Sequence, residues 1–553
     1  MNAHKVKRKE INPEGHRHNR KRVQQNKTGF SYVPGRKYLM PVTIFFMRKA
    51  ATMLPALALG LSVFSQLTPG RLMQFVSETD QIGKEEKQFY FHFNYKPAWF
   101  HEASRDNRRI LMDMLDQADR LGLRKEDYCS PRTESLLRER IQPAGGEDSM
   151  DAEVRITGSA IHFFTDLAYG NRKPVFGYKG LDYAPGCFDI PALLADHITR
   201  NTLPELLTRL RSGLPETEAL LERIQWLQEV KNRPGFSDIT VRSSAVNAAN
   251  KPLVSKLLQL GILDSAAMKG PDSLLVESVK EAQRQFDMKP DGILHSSLVR
   301  ELNVPVATRL EQATLSLNYY RWISCLAAER PVILVNIPAA CLKVYRESRV
   351  ILEMRMILGK QSTPTPTLTS IVKEVILYPY WHVPYSIATK ELLPAIKRNP
   401  GYLDAGNYQV LNKAGKVVNP YTVNWNALGA SNFPYIIRQS TGCDNALGLV
   451  KLNFYNPFGV YLHDTPSKNL FKQERRFYSH GCMRMEKPMD MAHLILKNNA
   501  LAIDTLEEMG CLRNQSPVVV PADEQMPVVV WYNPAGTDST GRVLFFRDVY
   551  KKF

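Results

Sequence analysis

The chain has 553 residues, 44% of them hydrophobic and 23% charged, with a net charge of +17. That length exceeds one ordinary core and implies roughly three to four domains, while the balance of apolar and charged residues is that of a globular protein. Residues 1–49 carry 13 Lys/Arg against 2 Glu, which is +11 of the +17, so the body of the chain is nearly balanced and its charge does not mark it as a nucleic-acid binder.

Residues 1–46 read as a basic, disordered extension, poor in apolar residues. From Met47 the sequence "MRKAATMLPALALGLSVFSQL" places Arg48 and Lys49 ahead of an uncharged run to Leu67. This is the pattern of a signal peptide, or of a single inner-membrane anchor with its basic flank inside. Either version exports the rest. Met47 would itself serve as an initiator, which would leave residues 1–46 as an upstream extension.

Residues 86–235 read as a helical scaffold: "RRILMDMLDQADRLGL" and "AEVRITGSAIHFFTDLAYG" space apolar residues by three and four, and Gly213 and Pro215 break the last long helical stretch in two. Residues 251–304 form a smaller helical unit. Val279, Ala282 and Phe286 share one helix face, Lys289 to Gly292 make a turn, and Leu298 and Leu302 lie on the next helix. From residue 328 the character becomes β, with "RPVILVNIP", "CLKVYRES" and "RVILEMRMILGK" predicting a meander. "EVILYPYWHVP" and "FGVYLHDTP" are further strands, and "MPVVVWYNPAGTDSTGRVLFFRDVY" reads as two strands about a turn. Residues 388–440, helical and then irregular, read as an insertion able to act as a lid.

Seven cysteines are present, none in a CxxC pair, at wide and irregular spacing, so neither a zinc ribbon nor a disulfide framework is expected. An odd count leaves at least one free thiol. Cys482 is the candidate, because "HDTPSKNLFKQERRFYSHGCMRM" brings His463 to the end of an apolar strand and sets Cys482 in a Ser-His-Gly-Cys turn. A thiol is nucleophilic as thiolate, and an imidazole can take its proton and return it to a leaving amine. Gly481 permits close backbone approach, amides around Cys482 could form an oxyanion hole, and Arg484 suits a carboxylate. A metal site at His480 and Cys482 lacks conventional ligand spacing, so no metal and no cofactor is expected. Asp464 is adjacent to His463 and on a strand would point the other way, which leaves no third member of a triad in view.

"HDTP" followed by "SHGCMRM" resembles the signature of L,D-transpeptidase (YkuD-like) catalytic domains. "FNYKPAWF", "ILVNIPAACLKVY", "PTPTLTSIVKEVILYPYWHVPYSIATKELLP", "NALG" and "FRDVY" extend the resemblance over residues 86–553 to the large multidomain enzymes of Gram-negative bacteria. "VKEAQRQFDMKPDGIL" resembles the three-helix peptidoglycan-binding module, although His295 stands where that family's turn usually has Gly, so its fold is expected rather than its glycan binding.

The resemblance implies a multidomain α+β protein: helical scaffold, small peptidoglycan-binding-like module, and mainly β catalytic domain (328–553) with the inserted lid. It also implies a periplasmic enzyme without a cofactor. Cys482 would attack the diamino-acid carbonyl of a tetrapeptide stem, releasing D-alanine and forming a thioester, with His463 as base and then acid. His480 and Gly481 would shape the oxyanion hole, His480 also bracing the turn, and Arg484 would support the site. A second stem's amine would complete the crosslink, and carbapenem-type β-lactams would inhibit. A carboxypeptidase or exchange enzyme on the same stems, or a non-catalytic wall-binding scaffold, are the other readings.

Overall fold

The computed structural model describes residues 67–101, 104–264, 271–497, 511–513 and 515–553; the basic extension and the apolar stretch through residue 66 lie outside the described residues. In the helical region the long helix α1 (Glu147–Tyr169) turns Ile156, Ala160, Phe163 and Phe164 into a shared core. The break read at Gly213 and Pro215 is present: a short helix ends at Arg209, and α2 (Pro215–Lys231) begins with proline in its first turn, where its missing N–H costs nothing.

The next unit is three helices, α3 (Lys251–Gln259), α4 (Asp272–Gln285) and α5 (Ser296–Leu302). Val279, Ala282, Phe286, Leu298 and Leu302 are all buried, in one core with α2 and with the long α6 (Val306–Glu329). That core continues onto the outer face of the sheet through Val332, Leu334, Tyr345, Val529 and Trp531.

The sheet begins in the helical region, with β1 (Tyr178–Lys179). The predicted meander follows as β2 (Val332–Asn336), β3 (Cys341–Arg346) and β4 (Arg349–Gly359), antiparallel neighbours in chain order. β5 (Leu368–Leu377) is the hub. A small separate sheet comprises β6 (Trp381–His382), β7 (Tyr408–Leu411), β8 (Val417–Val418) and β9 (Ile436–Gln439). Then come β10 (Val450–Phe454), β11 (Leu462–His463), β12 (Phe477–Ser479), β13 (Met483–Met485) and β14 (Val518–Trp531). The order β5-β10-β11-β13-β4-β3-β2-β14 closes on itself through β14–β5 pairing, with β1 added in parallel to β5. Its interior holds Ile333, Val335, Leu342, Leu452, Leu462, Met483, Met485 and Val528, against α7 (Pro488–Leu496).

Three readings are corrected. The C-terminal hairpin is β15 (Ala535–Thr537) with β16 (Val543–Phe545), whereas "MPVVVW" is the end of the 14-residue β14. The stretch read as helical and then irregular carries β7, β8 and β9, whose two to four residues are too short to show alternation. Two disulfides, Cys187–Cys325 and Cys443–Cys511, join partners 138 and 68 residues apart, a separation at which spacing carries no pairing signal. Cys129, Cys341 and Cys482 remain free.

Candidate active site

The closed sheet has an apolar inside, so alternate residues of β10, β11 and β13 face outward, and the candidate residues are those. β11 and β13 are parallel, with His463 opposite Arg484 and Leu462 opposite Met483, and the Met483 amide donates to the Tyr461 carbonyl at 3.0 Å. On the other side of β11, Lys451 of β10 lies opposite His463. One outward face thus carries Lys451, His463 and Arg484 side by side on three strands, with Tyr461 and Cys482 one step along. Strand geometry sets the His463 and Cys482 Cα atoms about 8 Å apart, within mutual side-chain reach.

Burial governs the chemistry. His463 is 3% exposed, and desolvation, reinforced by the Arg484 charge, lowers its imidazole to about 3. Its Nδ1 meets the Asp464 carbonyl at 2.5 Å, which fixes the proton on Nδ1 and leaves Nε2 as the basic nitrogen. Burial likewise pushes the Cys482 thiol up, opposed by hydrogen bonds from the Tyr461 amide and hydroxyl and by the charges of Lys451 and Arg484. Desolvation lowers Arg484, whose Nε is buried without a protein hydrogen-bond partner. The resting pair is therefore a neutral imidazole and a thiol, and donors already surround the sulfur for the moment it becomes charged.

The Ser-His-Gly-Cys turn is braced by residues to which the sequence drew no notice. Ser479 Oγ accepts from the Gly481 amide at 3.1 Å and donates to the Cys482 carbonyl at 2.6 Å; Thr365 Oγ1 donates to the Gly481 carbonyl at 2.9 Å. Gly481 has φ of +117°, which favours glycine, and a Cβ on Gly359 would lie 2.2 Å from the Thr363 carbonyl oxygen. Gly481, expected at an oxyanion hole, donates its own amide to Ser479. His480 leaves the turn and meets Glu391 of the insertion at 2.7 Å, at a π-helical turn spanning Ala388–Leu392. The Asp464 side chain does point away, accepting from the Leu449 and Thr465 amides, yet its carbonyl orients His463, a backbone role no residue pattern reveals. Among the described residues no group of three or more His, Cys, Asp or Glu is placed to hold a metal ion.

A cavity of about 480 Å³ opens beside Tyr461 and runs along Lys451, Asn453 and Glu374 to Tyr455. Lys451 sits 4.3 Å from the Tyr461 ring centroid, and Asn453 donates to Glu374 at 2.7 Å.

Residues 330–520 match the family model of the L,D-transpeptidase catalytic domain, and residues 84–223 match that of a scaffold domain. A Haemophilus influenzae protein named "Putative L,D-transpeptidase" is 34% identical over 218 residues, 39% of this chain and 44% of that protein, so the match spans less than half of the relative's length. Among solved structures, an L,D-transpeptidase from Mycobacterium smegmatis is 17% identical over 36% of this chain and 58% of its own, with a TM-score of 0.17. LdtMt1 in complex with imipenem is 18% identical over the same shares, also at 0.17.

Proposed function

We propose, from the L,D-transpeptidase catalytic domain that residues 330–520 form, that the chain is a periplasmic peptidoglycan L,D-transpeptidase joining the diamino acids of two stem peptides. The observation that carries this reading is a free cysteine one residue before β13 and, on the adjacent parallel strand β11, a buried histidine whose Nδ1 is held by the Asp464 carbonyl.

Cys482 Sγ attacks the diamino-acid carbonyl of a tetrapeptide stem while its proton passes to His463 Nε2. Collapse of the tetrahedral intermediate breaks the C–N bond, and that proton leaves on the D-alanine amine, giving a thioester. The amine of a second stem then attacks, the C–S bond breaks, and a proton returns through His463 to the sulfur. Arg484, buried with a donor to spare, suits a stem carboxylate. With water as acceptor the same thioester gives a carboxypeptidase, so the acceptor alone separates the two activities. A carbapenem-type β-lactam would acylate Cys482 by ring opening, adding its whole mass. The two disulfides favour an oxidising compartment, in keeping with export by the leader; among the described residues no helix is long and apolar enough to cross a membrane.

The test incubates the purified chain lacking residues 1–65 with disaccharide tetrapeptides and reads products by mass spectrometry. Crosslinked dimer with loss of D-alanine is the expected result; tripeptide alone would convert the assignment to a carboxypeptidase, and unchanged substrate would end it.

A further inference from the structure

We propose that the outer end of the cleft beside Tyr461 is a saccharide subsite, where Tyr455, Phe458 and Tyr178 hold an amino-sugar ring of the glycan that carries the donor stem; this rests on the stem-peptide reading above. Tyr455 is 76% and Phe458 46% exposed. These are not scattered surface residues. The Tyr455 ring meets Tyr178 edge-on at 6.0 Å, and Phe458 lies against Gly177, where an added Cβ would come within 3.4 Å of its ring. The Tyr455 backbone is pinned, its carbonyl accepting from Ser370 Oγ at 2.7 Å, and Tyr178 is brought in by the β1–β5 pairing. Aromatic side chains are thus gathered around one solvent-facing point and held there without being buried. That suits the apolar C–H face of a sugar ring, whose hydroxyls stay in water.

The spacing selects the occupant. Asn453 continues the ladder opposite Tyr461, which is itself beside Cys482, and Tyr455 follows the last residue of β10, Phe454. Strand spacing and rise carried on to Tyr455 give about 12 Å between the Cys482 and Tyr455 Cα atoms. A stem attacked at its third residue has three residues between the reacting carbonyl and the sugar, about 10–11 Å when extended. The cavity between the two points is lined by Lys451, Asn453 and Glu374, polar partners for a peptide bearing amides and free charges. A stem seated with its carbonyl at the thiol therefore delivers its sugar to the aromatic cluster.

The experiment compares D-alanine release by the full chain from a disaccharide tetrapeptide and from the same tetrapeptide without sugar. The wild type is expected to show a KM roughly three- to tenfold lower for the disaccharide form, the range that one aromatic stack supplies. Tyr455→Ala is expected to raise KM for the disaccharide form and so bring the ratio of the two KM values close to one, and Tyr455→Phe, which keeps the ring, to retain it. A wild-type ratio of one, or an undiminished ratio in Tyr455→Ala, overturns the subsite while leaving the transpeptidase reading standing. No release from either substrate removes both.

Discussion

Glu153 in the helical region and His463 in the catalytic sheet are both buried ionisable side chains, and their surroundings are opposite. Glu153 of α1 is fully buried, yet its carboxylate accepts from the amides of Ala98 at 2.9 Å, Trp99 at 3.0 Å and Phe100 at 2.7 Å. That clamp holds the "AWF" segment on the helix, although burial still raises the carboxyl to about 7. At the sheet, His463 has only a neighbouring carbonyl for its Nδ1, and Arg484 keeps a buried Nε unpartnered. A buried charge surrounded by amides is a fastening. A base beside a free thiol, with a buried donor still unpartnered next to it, is prepared for something that arrives.

The sharpest way to break this contrast is Cys482→Ala, expected to lower D-alanine release by about a thousandfold or more while the melting temperature stays within a few degrees. Residual turnover near wild type would remove the thiol from the chemistry. His463→Gln is expected to lower kcat by about 10²–10⁴, and rescue of its rate at high pH would point to the thiolate alone as the limiting species. Glu153→Ala should do the reverse. It leaves the buried amides of Ala98 and Trp99 without the carboxylate they bond and is expected to destabilise by about 3 kcal/mol in denaturant unfolding, with kcat of the folded fraction unchanged.

Acidity separates the two groups as well. Glu153 is raised from 4.5 to about 7, so the folded chain binds the extra proton, and its contribution to stability declines as pH rises through that window. His463 is lowered from 6.5 to about 3, so the unfolded chain binds the extra proton, and its contribution declines as pH falls through 6.5 toward 3. Between pH 4.5 and 6.5 the slopes oppose. His463→Gln should leave the Glu153 slope visible, with stability falling by up to about 3 kcal/mol from pH 4.5 to 7; a flat profile in that variant would show that Glu153 is not shifted. The smallest effect belongs to Glu391→Gln. The His480–Glu391 contact is partly exposed, so less than about 1 kcal/mol is expected, and sensitivity of the wild-type rate to salt at constant pH would register a larger role.

Much of this architecture could be read along the chain. The meander was legible because alternation in "RPVILVNIP" and its neighbours is a local property, and α7 because Pro488 and the spacing of Met491, Ala492 and Ile495 are local as well. That His463 ends an apolar strand was legible too, whereas the parallel pairing that joins that strand to the segment after Cys482 was not. Closure of the sheet was not, since it depends on β14 meeting β5 across 150 residues, and periodicity states which face is buried but never which strand is adjacent. Tyr461, Ser479 and the Asp464 carbonyl escaped for a related reason: each acts through register or backbone, and a tyrosine two residues before a histidine looks like any strand residue until the next strand supplies a sulfur.

The two-residue strand β1 decides where the molecule can be divided. Tyr178 and Lys179 occupy the edge of β5 at Leu368 and Thr369, directly beyond the part of that edge taken by β10, and Cys187 a few residues later is bonded to Cys325 at the end of α6. A fragment beginning at residue 330 would keep every residue of the candidate site, but it would bare a stretch of strand edge and leave that disulfide's two cysteines outside it. The helical region is thus part of the wall of the catalytic sheet, and truncation to the smallest region holding the site would create an adhesive edge where the intact chain has none.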